Sequence, residues 1–323
     1  MRLKLVKDNT SFDFFKRARV WLGISAVMIV VALGSLVLQG LNFGIDFQGG
    51  TTIRTQSTQE VDVGVYRAAL TALELGDVTI VKVTDPSFDD DQHVTSISIQ
   101  AQGAEEAISQ DRINAVQAAL QEVDPAVTFQ AVESVGPTVS QELIRSAVIA
   151  VALAIGAVLI YIWLRFEWQF ALGAVAALVH DVALTIGIFS ELQIRFDLAI
   201  IAALLTIVGY SLNDTVVVFD RVRENLRRYK KKPLKEVLNQ SINETLSRTF
   251  MTSITTLIAL GSLFVLGGDV IRGFVFAMIW GVIVGTYSSI FVASTILLVL
   301  GVKRDWSKPD PQNTGNQFGN IDA

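Results

Sequence analysis

The sequence of 323 residues contains no cysteine and only two histidines, His93 and His180. Without cysteine the chain forms no disulfide bond and offers no thiolate ligand, and two histidines leave little for a histidine metal site. Neither a nucleophile–base set nor a glycine-rich nucleotide-binding loop is present in the sequence. These absences argue against an enzyme, and we expect no metal site, no cofactor and no nucleic-acid partner.

Charge is also scarce in this sequence. Only 18% of the residues are charged, whereas 51% are hydrophobic. A soluble domain of this length is usually more charged. Six apolar runs, without charged residues apart from Asp181 and Asp214, approach or exceed the roughly 20 residues that a membrane-spanning helix needs. These spans 1 to 6 are residues 20–38, 147–164, 170–190, 198–219, 250–266 and 273–300. The sequence therefore predicts a six-helix transmembrane bundle.

The positions of the basic residues predict the orientation of the bundle. Lysine and arginine cluster before span 1, between spans 4 and 5, and after span 6, and one arginine separates spans 2 and 3. Cytoplasmic loops carry an excess of these residues, and an even number of spans puts both chain ends on one side. The predicted segments are 1–19 (cytoplasmic N-terminus), 20–39 (first helix), 40–141 (periplasmic domain), 142–302 (helices 2 to 6, with a basic cytoplasmic loop at 221–248) and 303–323 (polar cytoplasmic tail).

The segment 40–141 alternates between strand and helix patterns in the order β-α-β-β-α-β. "DVTIVKVT" and "HVTSISIQ" alternate with a period of two, whereas "VDVGVYRAALTALEL" and "AEEAISQDRINAVQAALQEV" have helical spacing. This order is the ferredoxin-like arrangement. We therefore expect one small α+β extracytoplasmic domain beside the bundle.

Two short motifs border this domain. "FGIDFQGGTTIRT" reads as its first strand, and the glycine pair in it permits backbone conformations that are closed to other residues. The pair is interpreted either as a hinge or docking element, because it follows a span directly, or as a bulge or tight turn in the strand. A Gly-Pro step marks the return toward span 2. The hinge or docking candidates are Asp46, Phe47, Gly49, Gly50, Gly136 and Pro137.

The most unusual residue is Asp214, which lies inside span 4 next to Asn213. A carboxylate at the centre of a bilayer costs roughly 2.5–3.5 kcal/mol on insertion scales. Span 5 runs antiparallel to span 4 and begins near Arg248, at the same level as Asp214. Asp214 is interpreted either as a buried polar residue that fixes helix packing or as a proton relay that works with Arg248 and Asn213.

Other polar residues inside the spans are secondary candidates for proton transfer. Span 3 carries His180 and Asp181 near its middle, and an imidazole can exchange protons near neutral pH. The alternative for His180 is structural, as a hydrogen-bond donor to a carbonyl. Thr252 and Thr255 extend a polar track along span 5. The secondary relay candidates are therefore His180, Asp181, Thr252 and Thr255.

Span 6 carries small residues at intervals of four positions, namely Gly281, Gly285 and Ser289. Small residues at this spacing let two membrane helices approach closely. They predict a close-packing seam within the bundle.

Four stretches resemble the SecF family, the smaller membrane partner of SecD in the bacterial Sec secretion machinery. They are "LNFGIDFQGGT", "VESVGPTVS", "LVHDVALTIGIF" and "VGYSLNDTVVVFDRVREN", and the likeness covers nearly all of residues 12–304. The resemblance implies a fold similar to one half of an RND-type transporter, in a bacterial inner membrane. It also implies that the family's span-4 carboxylate and span-5 arginine correspond to Asp214 and Arg248, and its Asp-Phe-x-Gly-Gly motif to the residues from Asp46 to Gly50.

The same resemblance implies a set of partners and an activity. SecD supplies six further spans in a heterodimer, which associates with the SecYEG channel and with YajC and YidC. The expected role is to use the proton motive force to assist late translocation and release of unfolded secretory preproteins, within membrane lipid. Two alternatives stay open from the residues alone: half of an RND-type exporter for small molecules or lipids, and a non-transporting assembly factor.

Overall fold

The computed structural model describes residues 10–60, 62–83, 92–100 and 108–302. Residues 1–9 of the predicted cytoplasmic N-terminus and the predicted polar tail at 303–323 lie outside this part of the chain. Within it, six helices are long and apolar enough to cross a membrane, and a four-stranded sheet lies between the first and second of them in the sequence. The prediction of a six-helix membrane bundle with a small sheet-containing domain is confirmed.

The described residues contain ten α-helices and four β-strands. In chain order the helices are α1 (Ala18–Leu38), α2 (Ile45–Gln48), α3 (Val63–Thr71), α4 (Gln110–Val123), α5 (Pro137–Arg165), α6 (Trp168–Glu191), α7 (Leu198–Arg228), α8 (Leu234–Leu266), α9 (Asp269–Ser288) and α10 (Ser294–Leu300). The strands are β1 (Gly50–Ser57), β2 (Val78–Val83), β3 (His93–Gln100) and β4 (Thr128–Val135). A π-helical segment, Ser289–Ala293, joins α9 to α10, so that these three pieces form the sixth span.

The segment 221–248, expected to be a basic loop, is helical except at residues 229–233. Its many charged residues mask an apolar stripe in the sequence. This stripe continues α7 and α8 beyond the apolar runs of spans 4 and 5. Val222, Leu226, Val237, Leu238 and Ile242 on these two extensions are all buried in one core cluster. A stripe of this kind stabilises a helix by packing whatever the charge of its opposite face, so α7 and α8 form a long hairpin.

The sheet domain has the strand order β2-β3-β1-β4, and all three pairings are antiparallel. With α3 and α4 in the two crossover positions, this is the ferredoxin-like arrangement that the sequence predicts. Alternate residues of the central strands point into one core, where Ile53 and Ile97 are fully buried together with Leu120 of α4. One face of the sheet is therefore closed by the two helices.

The interior of the bundle is formed mainly by α6 and the sixth span. Helix α6 packs against α1, α5, α7 and α9, and most of its residues are buried. In contrast, α1, α5 and α8 expose large apolar side chains such as Val27, Leu153 and Ile258. Exposed apolar residues of this kind are expected where a helix faces lipid or another membrane helix.

Two asparagines of α8 bind the chain just before α1. The Asn243 side chain accepts a hydrogen bond from Phe12 N at 2.9 Å and donates one to Phe12 O at 2.8 Å. Asn239 accepts from Phe14 N at 2.9 Å. These contacts attach the start of the first span to the part of α8 that is predicted to extend into the cytoplasm.

Candidate functional site

Asp214 lies near the middle of α7 with only 2% of its surface exposed. Its Oδ2 atom is buried without a hydrogen-bond partner among the residues that the structure describes. A buried polar atom without a partner is energetically costly, and more so when it is charged. No described residue therefore compensates this oxygen by hydrogen bonding.

Arg248 lies on α8 and is exposed at the surface of the bundle. In the described part of the chain no hydrogen bond or ion pair joins it to Asp214, although its charge acts on the Asp214 carboxyl. The two side chains therefore lie beyond hydrogen-bond distance of each other. Asn213, the third relay candidate, is exposed as well.

The outward face of α7 is small and polar, although it lies within a membrane span. Thr206, Gly209 and Asn213 are all exposed, and a methyl group added at Gly209 would meet no atom within 4 Å. We call these three residues the outer stripe. Such residues are common where membrane helices pack together and uncommon toward lipid. The outer stripe therefore has the composition of a helix-docking face next to Asp214.

The threonine track expected along span 5 is directed into its own helix. Thr252 donates to Thr249 O at 2.9 Å, and Thr255 donates to Met251 O at 2.9 Å. Thr255 is exposed, and neither hydroxyl has a described contact with Asp214. Hydroxyls in a membrane helix commonly satisfy themselves in this way, which spacing along a stripe does not reveal.

A second polar centre surrounds Asp181, which is fully buried. Its Oδ2 atom accepts hydrogen bonds from Ser211 of α7 at 2.6 Å and from Ser288 of α9 at 2.7 Å. Its Oδ1 atom lies 3.0 Å from His180 Nδ1. Asp181 therefore joins three helices of the bundle through one carboxylate.

The structural alternative for His180 was a hydrogen bond to a carbonyl, but its Nδ1 atom bonds to Asp181 instead. The Nε2 atom is buried without a partner among the described residues, and the ring stacks on Tyr287 with centroids 6.2 Å apart. Sequence reasoning named His180 and Asp181 but missed Ser211 and Ser288. The only signal for them was helical phase: Ser211 precedes Asp214 by three residues, and Ser288 follows Gly285 by three.

The small residues of span 6 do face a neighbouring helix. A methyl group added at Gly281 would overlap the Ile207 side chain, and one at Gly285 would lie 3.1 Å from Ser211 Cβ. These two glycines allow α9 to lie directly on α7. Ser289 is buried at the start of the π-helical segment and donates to Thr286 O at 3.1 Å.

The junction between sheet domain and bundle differs from its prediction in one respect. Residues Ile45–Gln48 form a single helical turn rather than the start of a strand, and this turn presents the Asp46 side chain to α7. Its Oδ2 atom accepts a hydrogen bond from Leu198 N at 3.0 Å, at the first residue of α7. A carboxylate there binds the free N–H groups and the positive end of the helix dipole.

The other hinge candidates close this junction. Gly49 and Gly50 have positive φ values of 75° and 138°, which favour glycine. A methyl group at Gly49 would lie 3.4 Å from Pro137, the first residue of α5, which follows Gly136. Phe47 is buried and its ring lies 5.9 Å from that of Phe196. The two ends of the sheet domain thus meet beside the first residue of α7.

Asp197 shares this junction and caps α7 as well, accepting a hydrogen bond from Ile200 N at 3.3 Å. Burial raises the pKa of its carboxyl above the ordinary value. The Ile200 N–H and the charge of Arg195 act in the opposite direction, whereas the nearby Asp46 adds to the increase. The first turn of α7 is therefore held by two neighbouring carboxyl groups.

Two family models match the chain. The model described as "Protein export membrane protein SecD/SecF, C-terminal" matches residues 115–303, and the "SecD/SecF GG Motif" model matches residues 34–61. The second match contains α2, the glycine pair and β1. The first contains both polar centres of the bundle.

Individual relatives cover all or nearly all of the chain. A protein translocase subunit SecF from Cereibacter sphaeroides is 60% identical over 322 residues, which are 100% of this chain and 99% of that one. A protein translocase subunit SecDF from Brucella abortus is 40% identical over 304 residues, covering 94% of this chain and 39% of its own length. The crystal structure of SecDF from Thermus, a translocon-associated membrane protein, is 36% identical with a TM-score of 0.81 over 92% of this chain and 39% of that one.

Proposed function

The chain belongs to the SecF family of protein-export membrane proteins, and we propose that it couples the proton motive force to protein translocation through Asp214. Membership of the family supports a role as an accessory subunit of a Sec translocase. The proton coupling, and a role in late translocation and release of secretory proteins, are the further steps of the proposal. The observation that carries it is a buried carboxyl in an apolar helix whose Oδ2 atom has no described partner.

The missing partner distinguishes a relay from a packing element. A carboxylate that only fixes helix packing is saturated with donors from neighbouring helices, as Asp181 is. Asp214 has no such bonds, so its protonation state can change without leaving donors unsatisfied. Ionisable residues inside membrane spans mark proton or ion paths by default. The absence of hydrogen-bond partners at Asp214 in the described residues thus supports a proton relay over a non-transporting assembly factor.

The available driving force is sufficient for such a switch. Moving one elementary charge across about 100 mV releases about 2.3 kcal/mol. A difference of that size between two conformations shifts their ratio almost fifty-fold, since about 1.4 kcal/mol corresponds to a factor of ten. In this proposal a protonated Asp214 no longer attracts Arg248, so the position of α7 relative to α8 depends on the proton.

Helix α7 connects the relay to the sheet domain. Asp214 lies in its middle, while its first backbone N–H is bound by Asp46, three residues before the glycine pair. A tilt or rotation of α7 therefore acts on the junction through a hydrogen bond rather than through a flexible loop. We infer that this contact transmits the protonation of Asp214 to the domain that handles unfolded preproteins.

SecD is the first partner in this proposal. The SecDF relative carries the counterpart of this chain in 39% of its length, so the remainder supplies a covalently joined second part. In the present chain the outer stripe of α7 offers the docking face, beside Asp214 and Arg248. Association of this pair with the SecYEG channel, and with YajC and YidC, extends the proposal to the whole secretion machinery.

The proposed location is the inner membrane of a bacterium, with both termini in the cytoplasm and residues 40–141 in the periplasm. Support comes from the turn between α7 and α8, where Lys230, Lys231 and Lys232 follow one another. Basic residues of this density stay on the cytoplasmic side of a bacterial membrane. The sheet domain leaves the bundle at the opposite end of α7.

Replacing Asp214 tests the proposed function. Asp214→Asn keeps the shape of the side chain but carries no titratable proton, so export of a secretory protein into membrane vesicles should lose its acceleration by a proton gradient. Asp220→Asn is the matched control on the same helix, because Asp220 is exposed and only contacts Arg165 at 3.6 Å. Gradient-dependent export at the wild-type rate in the Asp214 variant would contradict the proposal.

A further inference from the structure

Asp181 is a fully buried carboxyl of the membrane bundle with three side-chain partners. Its side chain is fully buried and receives contacts from His180, Ser211 and Ser288, which belong to α6, α7 and α9. An ionised carboxylate accepts hydrogen bonds at both oxygens, and bonds to the charged form are about twice as strong as neutral ones. The geometry therefore fits a carboxylate with three donors around it.

One atom of this cluster is left open. His180 Nε2 is buried and has no partner among the described residues, while its other ring nitrogen is bonded to Asp181. The hydroxyl of the stacked Tyr287 is engaged with Trp21 O at 2.8 Å and Ser25 Oγ at 3.0 Å, so it is directed away from the imidazole. A ring nitrogen in this state can accept a proton from a transient water or donor.

The charged and titratable surroundings of the cluster are few. Tyr287 comes from α9, and Asp214 lies one turn beyond Ser211 on α7. Helix α1 carries no titratable side chain between residues 20 and 38, and α10 carries none at all. The charged residues of α5 lie near its two ends, at Glu142, Arg145 and Arg165. No lysine or arginine of these elements therefore lies at the centre of the bundle to neutralise Asp181 permanently.

We propose that His180 and Asp181 form a second proton-binding site, in which the imidazole passes a proton to the carboxylate. A proton binds to the free Nε2 atom and gives an imidazolium ion. The Nδ1 proton then moves to Asp181 Oδ1, which leaves a neutral imidazole and a carboxylic acid, and the hydrogen bond between them reverses. No bond other than N–H and O–H changes, and the reverse steps release the proton. This proposal rests on the proton coupling proposed above.

Protonation of Asp181 changes the contact between α7 and α9. The charge that strengthens the two serine hydrogen bonds disappears, so both bonds weaken. Ser288 has an alternative acceptor, because Gly285 O of its own helix lies 3.1 Å from its hydroxyl. Ser211 is carried by the same helix as Asp214, three residues before it. A proton on Asp181 thus loosens the helix that carries Asp214.

The backbone after Ser288 is suited to such a change. The π-helical segment Ser289–Ala293 begins at the next residue. Single π-turns inside α-helices are rare and occur frequently at functional sites. The sixth span therefore has a local irregularity one residue beyond a serine that binds Asp181. In the described residues spans 2 to 5 are continuous α-helices, and the first is α-helical from Ala18 to Leu38.

Infrared difference spectroscopy tests the site directly. The full chain with SecD, in vesicles of phosphatidylethanolamine and phosphatidylglycerol, is compared between acid and neutral buffer in an Asp214→Asn background, which removes the carboxyl of the first site. We expect a band of a protonated carboxyl that disappears in Asp181→Asn. A band that persists in Asp181→Asn, or no such band at all, would overturn the proposal.

Serine variants show whether the band reports the described geometry. Ser211→Ala and Ser288→Ala each remove one hydrogen-bond partner of Asp181, so each should shift the frequency of the band. Ser262→Ala is the control, because the Ser262 hydroxyl is exposed and bonds only to Ile258 O at 3.0 Å. An unshifted band in both cluster variants would contradict the assignment to Asp181.

The imidazole step has its own test. His180→Asn places an amide N–H near the position of Nδ1 but cannot exchange protons, so the protein should fold, whereas the acid-induced band should form more slowly after a pH jump. Band formation at the wild-type rate would exclude His180 as the donor. Because these readouts require no export, the absence of an acid-induced band that depends on Asp181 contradicts the second site alone. Normal gradient-dependent export by Asp214→Asn contradicts the proposed function.

Discussion

Two carboxyl groups that are buried in the bundle are bound in opposite ways. Asp181 accepts hydrogen bonds from α7 and α9 and contacts His180, whereas Asp214 has a buried oxygen with no partner in the described chain. Both lie in membrane helices, so the difference comes from their neighbours and not from depth alone. A saturated carboxylate holds helices together while it is charged, and a bare one responds to a proton without breaking other contacts.

The same contrast separates the two faces of α7. Its inner face meets α9 at Gly281 and Gly285, where no space remains for a side chain. Its outer stripe is equally small but is open in this chain. Small residues therefore serve a contact within the chain on one face, and in our proposal a contact with SecD on the other.

Truncating the two carboxyls should give the largest difference. Asp181→Ala leaves the donors of Ser211, Ser288 and His180 without their acceptor, so we expect the free energy of unfolding to fall by about 2–3 kcal/mol. Asp214→Ala leaves no described donor unpaired and should change it by less than about 1 kcal/mol. Unfolding of both variants in detergent measures the difference. Equal losses would show that the two sites are bound alike.

A pair of glycine substitutions tests the two faces of α7. Gly281→Ala forces a methyl group into Ile207, which should destabilise the chain by about 1–3 kcal/mol, as overpacking does. Gly209→Ala meets no atom within 4 Å and should leave the isolated chain as stable as the wild type. Thermal unfolding of the chain alone checks both expectations.

Co-purification with SecD then tests whether the outer stripe of α7 is the face that binds SecD. Gly209→Leu should weaken this association if the outer stripe is the docking face, and full recovery of SecD with the Leu variant would argue against it.

The smallest expected effect concerns a third carboxyl, at the edge of the bundle. Burial is the largest cause of the raised pKa of Asp197. An acid with a raised pKa binds its proton more tightly in the folded state, so its contribution is present at acid pH and is lost as the pH rises from about 3.8 through the raised value. Asp197→Asn keeps a good helix cap and removes this dependence. As the pH rises through that range, the melting temperature of the variant should rise progressively relative to that of the wild type. A difference in melting temperature that does not change with pH would refute the assignment.

Apolar runs and period-two alternation were sufficient to predict the six spans and the β-α-β-β-α-β domain, because each depends on residues close in sequence. The helical character of 221–248 was missed because its charged residues outnumber the apolar stripe through Val222 and Leu226. The sequence pattern places Asp46 in a strand. Its hydrogen-bond partner, Leu198 N, is 152 residues away, so local spacing does not reveal this contact.

Within the candidate site, composition identified single residues but not their bonds. Asp214 and Asp181 are conspicuous because any carboxylate in an apolar run is costly. Whether such a group is saturated depends on which helix faces it, and sequence spacing within one helix does not determine this. Ser211 and Ser288 are ordinary serines until α7 and α9 are placed against α6.

The asparagine contacts before α1 have a consequence for how the bundle can move. Asn239 and Asn243 fasten the beginning of α1 to α8, and at its far end Ser35 is hydrogen-bonded to Ser190 of α6 at 3.0 Å. The first span is thus anchored at both ends to two different neighbours and acts as a brace that keeps them at a fixed separation. Any rearrangement of α7 would then occur without a change in the distance between these two anchoring points.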